Sequence, residues 1–347
     1  MPKPKRPRFG SMGVWPRKRA KNMFPRVRAV AKVKEAKLLA FPVYKAGMTR
    51  IFAVNTDKNK RMGGQEEVLA GTVLECPPIK IASLKLYSRK DKADYVVTQL
   101  NFKTEKEFLR ASNVPKEKFA KSEDVEKLNA ADYTDATIQI YTMPKLIDLK
   151  KTPDTFEISL GGTVKEKLEF VKNHFDKQIN LLDVFKAGQF VDAHGITTGK
   201  GFQGPVKRFG VGLKSHKSEK GQRAVGSLGG WSRQGHVMYR VAHAGQMGFH
   251  QRVQYNNQIL RISDKPETVN PKGGFLAYGE VTSSFVIVKG SIMGAKKRLI
   301  VLTEPIRLKT KAAYSPESVK HVSTRTQQGW MKWNSKYSQR KEQKKAQ

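Results

Sequence analysis

The stretch GITTGKGFQGPVKRFG, residues 195 to 210, holds the residue types most open to a chemical reading. Gly199, Gly201 and Gly204 fit the G-x-G-x-x-G spacing that brings backbone amides close to a dinucleotide phosphate. That chemistry needs a strand before the glycines and an amphipathic helix after them, whose N-terminus meets the phosphate. Here Pro205, Gly210 and Gly212 follow, so the expectation is that no helix runs there. As a P-loop, GITTGKG is one residue short and ends on Gly201 where the magnesium-binding hydroxyl belongs. The surviving reading is a loop whose glycines admit a polymer's backbone while Lys200, Lys207 and Arg208 meet its phosphates.

Five of the seven histidines, His194, His216, His236, His243 and His250, fall in the same region, three of them seven residues apart. A metal site there would need histidine ligands alone, since no H-E-x-x-H occurs and Glu219 is the one nearby acid. Stacking on RNA or bonding to it is the milder account. No G-x-S-x-G appears, and Cys76 sits in VLECPPIK at an expected strand end. Nothing in the set looks catalytic. Trp231, flanked by Gly229, Gly230 and Gly235, reads either as a core ring or as a loop tip that meets RNA.

The elements that must carry these residues divide by composition. Residues 1 to 34 contain no acid, and five prolines prevent a continuous helix. Arg6, Arg8, Arg17, Lys18, Arg19, Arg26 and Arg28 alternate there with Phe9, Trp15 and Phe24, which suits stacking among bases. A solvated tail or a nuclear address is the competing reading of this arm. From Leu38, short apolar runs such as LLAFPVY, TRIFAV and VLAGTVLEC predict strands, and the slipped alternation of IKIASLKLYS predicts a curved or bulged barrel strand. Residues 104 to 176 hold 14 acids beside 12 Lys and Arg, so this near-neutral stretch is expected to face solvent. Within it, Val164, Leu168, Val171 and Phe175 share one helical face, and Thr163 with Glu166 forms a capping box.

Residues 194 to 262 carry Lys214, Lys217, Lys220, Arg223, Arg233, Arg240 and Arg252 besides the cations already named, with 13 of the 28 glycines. Nearly seventy residues without apolar periodicity are too many for an ordinary connection, so they are expected to be disordered or ordered by a partner. Strand-like runs resume at FVIVKGSI and RLIVLTEPIRL, which predicts a two-piece core with a long projecting loop. A second candidate arm closes the sequence, with Trp330, Trp333 and Tyr337 among its charges.

The whole chain, 347 residues, bears a net charge of +36 from 66 Lys and Arg against 30 Asp and Glu. Such an excess would make a folded particle repel itself unless a polyanion neutralised it, which points to nucleic acid. Ion-pair networks of the thermophilic kind raise both signs together and do not produce the imbalance. No run approaches the ~18 apolar residues of a spanning helix, and MPKPKRPRFG lacks a signal-peptide apolar core. One cysteine excludes an intramolecular disulfide and fits a reducing, intracellular compartment. A chromatin-like DNA binder and a nucleotide-dependent enzyme acting on RNA are the rival classes.

The segments RPRFGSMGVWPRKRA, YKAGMTRI, VDAHGITTGKGFQGPVKRFG, GSLGGWSRQGHVMYRVAHAGQMGFHQR and GGFLAYGEVTSSFVIVKGSIMGAKKRLI together resemble the large-ribosomal-subunit protein L-three family, nearly end to end. The lean C-terminal tail is closer to the archaeal form than to the eukaryotic one. The resemblance implies a mainly β chain with an α/β insertion: a translation-protein-type β-barrel core, a long RNA-penetrating loop and basic terminal arms. Mapped here, it gives a basic N-terminal arm at 1–37, a first barrel segment at 38–103 and a mixed insertion at 104–182. The second barrel segment is 183–310 with the loop at 195–260, and a basic tail is 311–347. It further implies a structural role without catalysis, cofactor or metal, as a monomer within the cytoplasmic ribosome. Partners are large-subunit ribosomal RNA and neighbouring ribosomal proteins, with no membrane and no small-molecule substrate.

By position, Arg223, Arg233, His236, Arg240 and His243 would flank a loop tip at Trp231 near the peptidyl transferase centre, where aminoacyl-tRNA accommodates. Lys296, Lys297 and Arg298 join the expected RNA contacts. Bacterial members place Gln at the Trp231 position and eukaryotic ones His at the Glu219 position, so methyl marks do not transfer. Lys217, Lys220 and Arg223 are candidate partners for Glu219. If RNA alone shapes these excursions, residues 1–34 and 195–260 of the free protein should be protease-sensitive around a resistant core.

Overall fold

The apolar runs that follow Leu38 become strands in a computed structural model, described for residues 10–57, 59, 63–91, 93–112, 119–230, 235–308 and 312–327. LLAFPVY and TRIFAV merge into one long strand, β1 (Ala40–Val54), followed by β2 (Glu66–Glu75), β3 (Ile79–Lys90), β4 (Ala93–Asn101), β5 (Asp135–Thr142), β6 (Thr155–Ser159) and β7 (Phe190–Ile196). After the two-residue strands β8 (Phe202–Gln203) and β9 (Gly245–Gln246) come β10 (Gln251–Ser263), β11 (Phe285–Lys289), β12 (Leu299–Thr303) and β13 (Val319–Val322). The short helices α1 (Ser122–Glu126), α2 (Val164–Asn173) and α3 (Pro205–Phe209) complete the set used below. The fold is mixed α/β with large sheets, and the chain divides into two compact units, Met1–Met23 with Ile196–Arg252, and Phe24–Gly195 with Val253–Gln347.

In the larger unit, a seven-stranded sheet has the order β12-β7-β10-β11-β2-β1-β13, and β12 also pairs with β1, so the order returns on itself. Strands buried on both faces read as continuous apolar runs, which accounts for FVIVK and LIVLT. Period-two alternation sends neighbours to different clusters: Val286 and Val288 pack with Phe41, Val43 and Leu74, whereas Phe285 and Ile287 pack with Ile51, Val73 and Phe275. Gly71 lies opposite Thr49 in the β1–β2 pairing, where a Cβ would stand 2.1 Å from Ile51 Cδ1 and would have to displace the end of that side chain.

A second sheet has the order β4-β3-β5-β6. IKIASLKLYS does form a bulged strand, with the β3–β5 register shifting between Ile81 and Ser83. Its place corrects the sequence reading. It lies in this four-stranded sheet and not in the self-closing one, because Leu84 and Leu86 are buried with Ile138 and Ile140 of β5. A slip in alternation signals a bulge but carries no information about which sheet holds it. Helix α2 forms as the periodicity predicts, with Leu168 and Val171 buried and the Thr163 N–H donating to Glu166 Oε2 at 3.0 Å. The near-neutral stretch pairs charges within itself, through Lys127–Asp124 at 3.4 Å and Lys172–Glu126 at 3.3 Å among others, and with β3 through Lys80–Glu105 at 2.8 Å and Lys85–Glu157 at 3.0 Å.

Candidate nucleic-acid interface

The smaller unit begins where β7 ends. Ile196 is buried, the Thr197 N–H donates to the His250 carbonyl at 3.0 Å, and the His250 N–H donates to Thr197 Oγ1 at 3.1 Å. Gly248 makes this closure possible: its φ is +71°, and a Cβ would stand 2.0 Å from the Thr198 carbonyl oxygen. The glycines at 199, 201 and 204 serve the same local architecture. The Lys200 N–H donates to the Met247 carbonyl and the Met247 N–H to the Gly201 carbonyl, both at 2.9 Å, beside the β8–β9 pairing. The Lys200 amide therefore meets a protein carbonyl, and the segment is tied to 245–247 through β8 and β9.

A helix does run where none was expected. Pro205 occupies the first helical position of α3, where its missing N–H is harmless and its fixed φ favours the turn, and Gly210 ends the helix at φ +65°. This single turn aims Phe209 inward, 1% exposed, and sets Arg208 beside it. Arg208 donates from Nε to the Gln246 carbonyl at 3.1 Å and from Nη1 to the His243 carbonyl at 2.9 Å. Burial lowers the pKa of its guanidinium from the usual value.

The arm packs on the same core. Trp15 lies 6.0 Å from Phe209 and 6.0 Å from Tyr239, the latter edge-on at 77°. The Arg17 guanidinium sits 4.5 Å from the centre of the Phe209 ring and Arg208 5.0 Å from it, so two cations share one buried π face system. Ala20 donates its N–H to the Phe249 carbonyl at 2.8 Å, Arg19 lies 5.6 Å from the Phe249 ring, and His250 Nδ1 bonds the Lys18 carbonyl at 2.9 Å. Arm and loop thus own a small interior. That corrects the expectation that RNA alone gives them shape: Trp15, Arg17 and Arg208 each pack against Phe209. Periodicity could not show it, because the few apolar residues involved are scattered across both segments.

Other predicted contacts do point to solvent. Lys18, Arg19, Lys200, Lys207, Lys217, Lys220, Arg223, His236, Arg240 and His243 are exposed, while Lys214 and Arg252 are half-buried. In sequence the unit has Glu219 as its single acid. In the larger unit Arg26, Arg28 and Lys297 are exposed, whereas Lys296 is half-buried and its amine donates to the Leu276 carbonyl; Arg298 is also half-buried. Arg6, Arg8, Trp231 and Arg233 lie outside the described residues, as does the aromatic C-terminal stretch from 328. Sequence reasoning passed over Tyr239, although a ring between Met238 and Arg240 repeats the pattern of aromatics among cations used for the arm.

Two side chains that a catalytic reading would draw on, Cys76 and His194, lie in the interior. Cys76 is fully buried, and burial pushes its thiol well above the usual range, away from the reactive thiolate. His194 is buried with Nε2 3.2 Å from Thr303 Oγ1. Among the described residues no group of three or more His, Cys, Asp or Glu converges to hold a metal, and no helix is long and apolar enough to cross a membrane.

A family model described as Ribosomal protein L3 matches residues 1–329. The chain is 40% identical over 333 residues to the large ribosomal subunit protein uL3 of Archaeoglobus fulgidus, covering 93% of this chain and 98% of that protein. It is 41% identical over 332 residues to uL3 of Methanocaldococcus jannaschii, with the same coverage. Against uL3 of Nanoarchaeum equitans it is 40% identical over 305 residues, covering 87% of this chain and 91% of that protein.

Proposed function

Since this chain belongs to the ribosomal protein L3 family, whose members are structural and non-enzymatic components of the large ribosomal subunit, we propose that it binds large-subunit ribosomal RNA directly through the cationic faces of both units. One observation carries the reading: the unit of Met1–Met23 with Ile196–Arg252 has a single acid in sequence, Glu219, and among the described residues it exposes Lys18, Lys21, Lys200, Lys207, Lys217 and Lys220. Each phosphate met by Lys or Arg releases a condensed counterion, which favours association entropically. Exposed Lys18, Lys200, Lys207, Lys217, Lys220 and Arg223 supply such contacts, joined by Arg26, Arg28 and Lys297. Arg17 and Arg208 combine a structural task with a share in the positive field, and half-buried Arg252 adds to that field.

On this reading the self-closing sheet is the barrel, seated on RNA near the subunit surface where it supports assembly, and residues 104–182 are a solvent-facing insertion. The loop at 195–260 extends toward the peptidyl transferase centre with Trp231 at its tip, where it supports aminoacyl-tRNA accommodation. Neighbouring ribosomal proteins and the cytoplasmic ribosome complete the setting. Support comes from the family match, the charge distribution and the glycine-rich stretch around Trp231.

The direct test is co-sedimentation with large subunits through washes of rising salt. Retention until high salt is expected, and displacement by duplex DNA competitor in place of ribosomal RNA would overturn the assignment. For the tip, ribosomes carrying Trp231→Ala should accommodate aminoacyl-tRNA more slowly; unchanged kinetics would remove that role.

A further inference from the structure

Within the smaller unit a cavity of about 220 Å³ lies between the arm and the loop, lined by Trp15, Arg17, Lys18, Phe209, Tyr239 and His243 among others. No carboxylate borders it, so it is not built for a cation or a basic side chain. It is smaller than the roughly 300–1,000 Å³ typical of pockets for drug-sized ligands and coenzymes, and suits one planar ring system.

The aromatic wall is held in place before any ligand arrives. Phe209 is buried beneath Arg17 and Arg208, Trp15 packs on Phe209, and Tyr239 stands edge-on to Trp15. The turn that carries Tyr239 is closed by the Val241 N–H donating to the Met238 carbonyl at 3.1 Å, the His243 N–H to the Val241 carbonyl at 2.9 Å, and Arg208 to the His243 carbonyl. Yet Tyr239 is 75% exposed, the most open tyrosine or tryptophan among the described large hydrophobic residues. An open ring on a hydrogen-bonded turn, beside the exposed Lys18, matches how proteins seat an unstacked base and its phosphate.

We infer that this cavity receives a single nucleobase turned out of its stack, its ring against Tyr239 and Trp15 and the adjoining phosphate at Lys18. The inference rests on the RNA-binding reading above and names one subsite within it. The test uses the full chain and two heptameric ribose-phosphate probes, one abasic except for a central adenine and one abasic throughout, at salt high enough to suppress the phosphate contribution. The adenine probe should bind about tenfold more tightly than the abasic one, the scale of one base losing one aromatic partner. Tyr239→Ala should abolish that ratio and Tyr239→Phe should keep it, while Lys18→Gln should leave the ratio unchanged and weaken both probes alike only when the salt is lowered. Equal binding of the two probes by the wild-type chain, or an undiminished ratio in Tyr239→Ala, would overturn the subsite while leaving salt-dependent RNA binding intact. Absence of binding to either probe at low salt would overturn the RNA-binding reading itself. Because Tyr239 is so exposed, its truncation leaves the Trp15–Phe209 packing in place, and an unchanged melting temperature verifies this.

Discussion

His250 Nδ1 stands 2.9 Å from the carbonyl oxygen of Lys18, joining residues 232 apart in sequence. A carbonyl only accepts, so the neutral ring carries its proton on Nδ1. Burial lowers the imidazole pKa, the Lys18 bond opposes that, and the nearby Arg252, Arg17 and Arg208 charges lower it further. With the folded value below the usual ~6.5, the unfolded chain takes up a proton first as pH falls. The contribution is then complete above about pH 6.5 and is lost as pH descends toward the folded value.

Acid should therefore loosen the arm. Digestion of residues 10–23 by a protease active across the range should quicken from about pH 7.5 to about pH 5. His250→Gln should reduce that pH dependence, and an equal dependence in the variant would contradict the linkage.

How much of this was legible in the sequence follows from what each signal measures. Helix α2 was readable because Leu168 and Val171 repeat at helical spacing behind a capping residue, and β11 and β12 because continuous apolar runs mark strands covered on both faces. The cationic faces were readable from charge alone. Helix α3 was missed, although Pro205 inside its start and Gly210 past its end are the asymmetric punctuation of one turn. The arm–loop interior was missed because Trp15, Phe209 and His250 converge only in three dimensions. Their neighbours in sequence are glycine, proline and cations, which mimic a chain without a core.

Gly248→Ala should cost about 3 kcal/mol or more, since it places a methyl group against the Thr198 carbonyl and forces a left-handed φ on a side-chain-bearing residue. Gly204→Ala is the matched control. No atom lies within 4 Å of its Cβ position and its φ is −69°, so a change within about 1 kcal/mol is expected. Denaturant titration of both variants decides the point, and equal stabilities would contradict the close approach at 248.

Glu75, fully buried at the end of β2, accepts from the N–H groups of Thr282 at 2.7 Å and Ser283 at 2.9 Å, from both their hydroxyls, and from the Tyr278 hydroxyl. Burial and this carboxylate together push the Tyr278 phenol far above its usual range, so it remains a donor. Glu75→Ala would strand several buried donors at once and should destabilise the larger unit by about 3 kcal/mol, whereas Tyr278→Phe removes one donor and should cost about 1 kcal/mol. Urea midpoints measure both; a neutral Glu75→Ala would mean the network is not stabilising.

The central claim is that exposed cations of the 196–252 segment meet RNA phosphates, and its most direct measurement is the slope of log K against log salt for large-subunit RNA. Replacing Lys200, Lys207, Lys217, Lys220 and Arg223 with Gln should flatten that slope by about 0.7–0.9 for each residue that meets a phosphate, up to about 4 in all. A quintuple variant that folds normally and keeps the wild-type slope would contradict it.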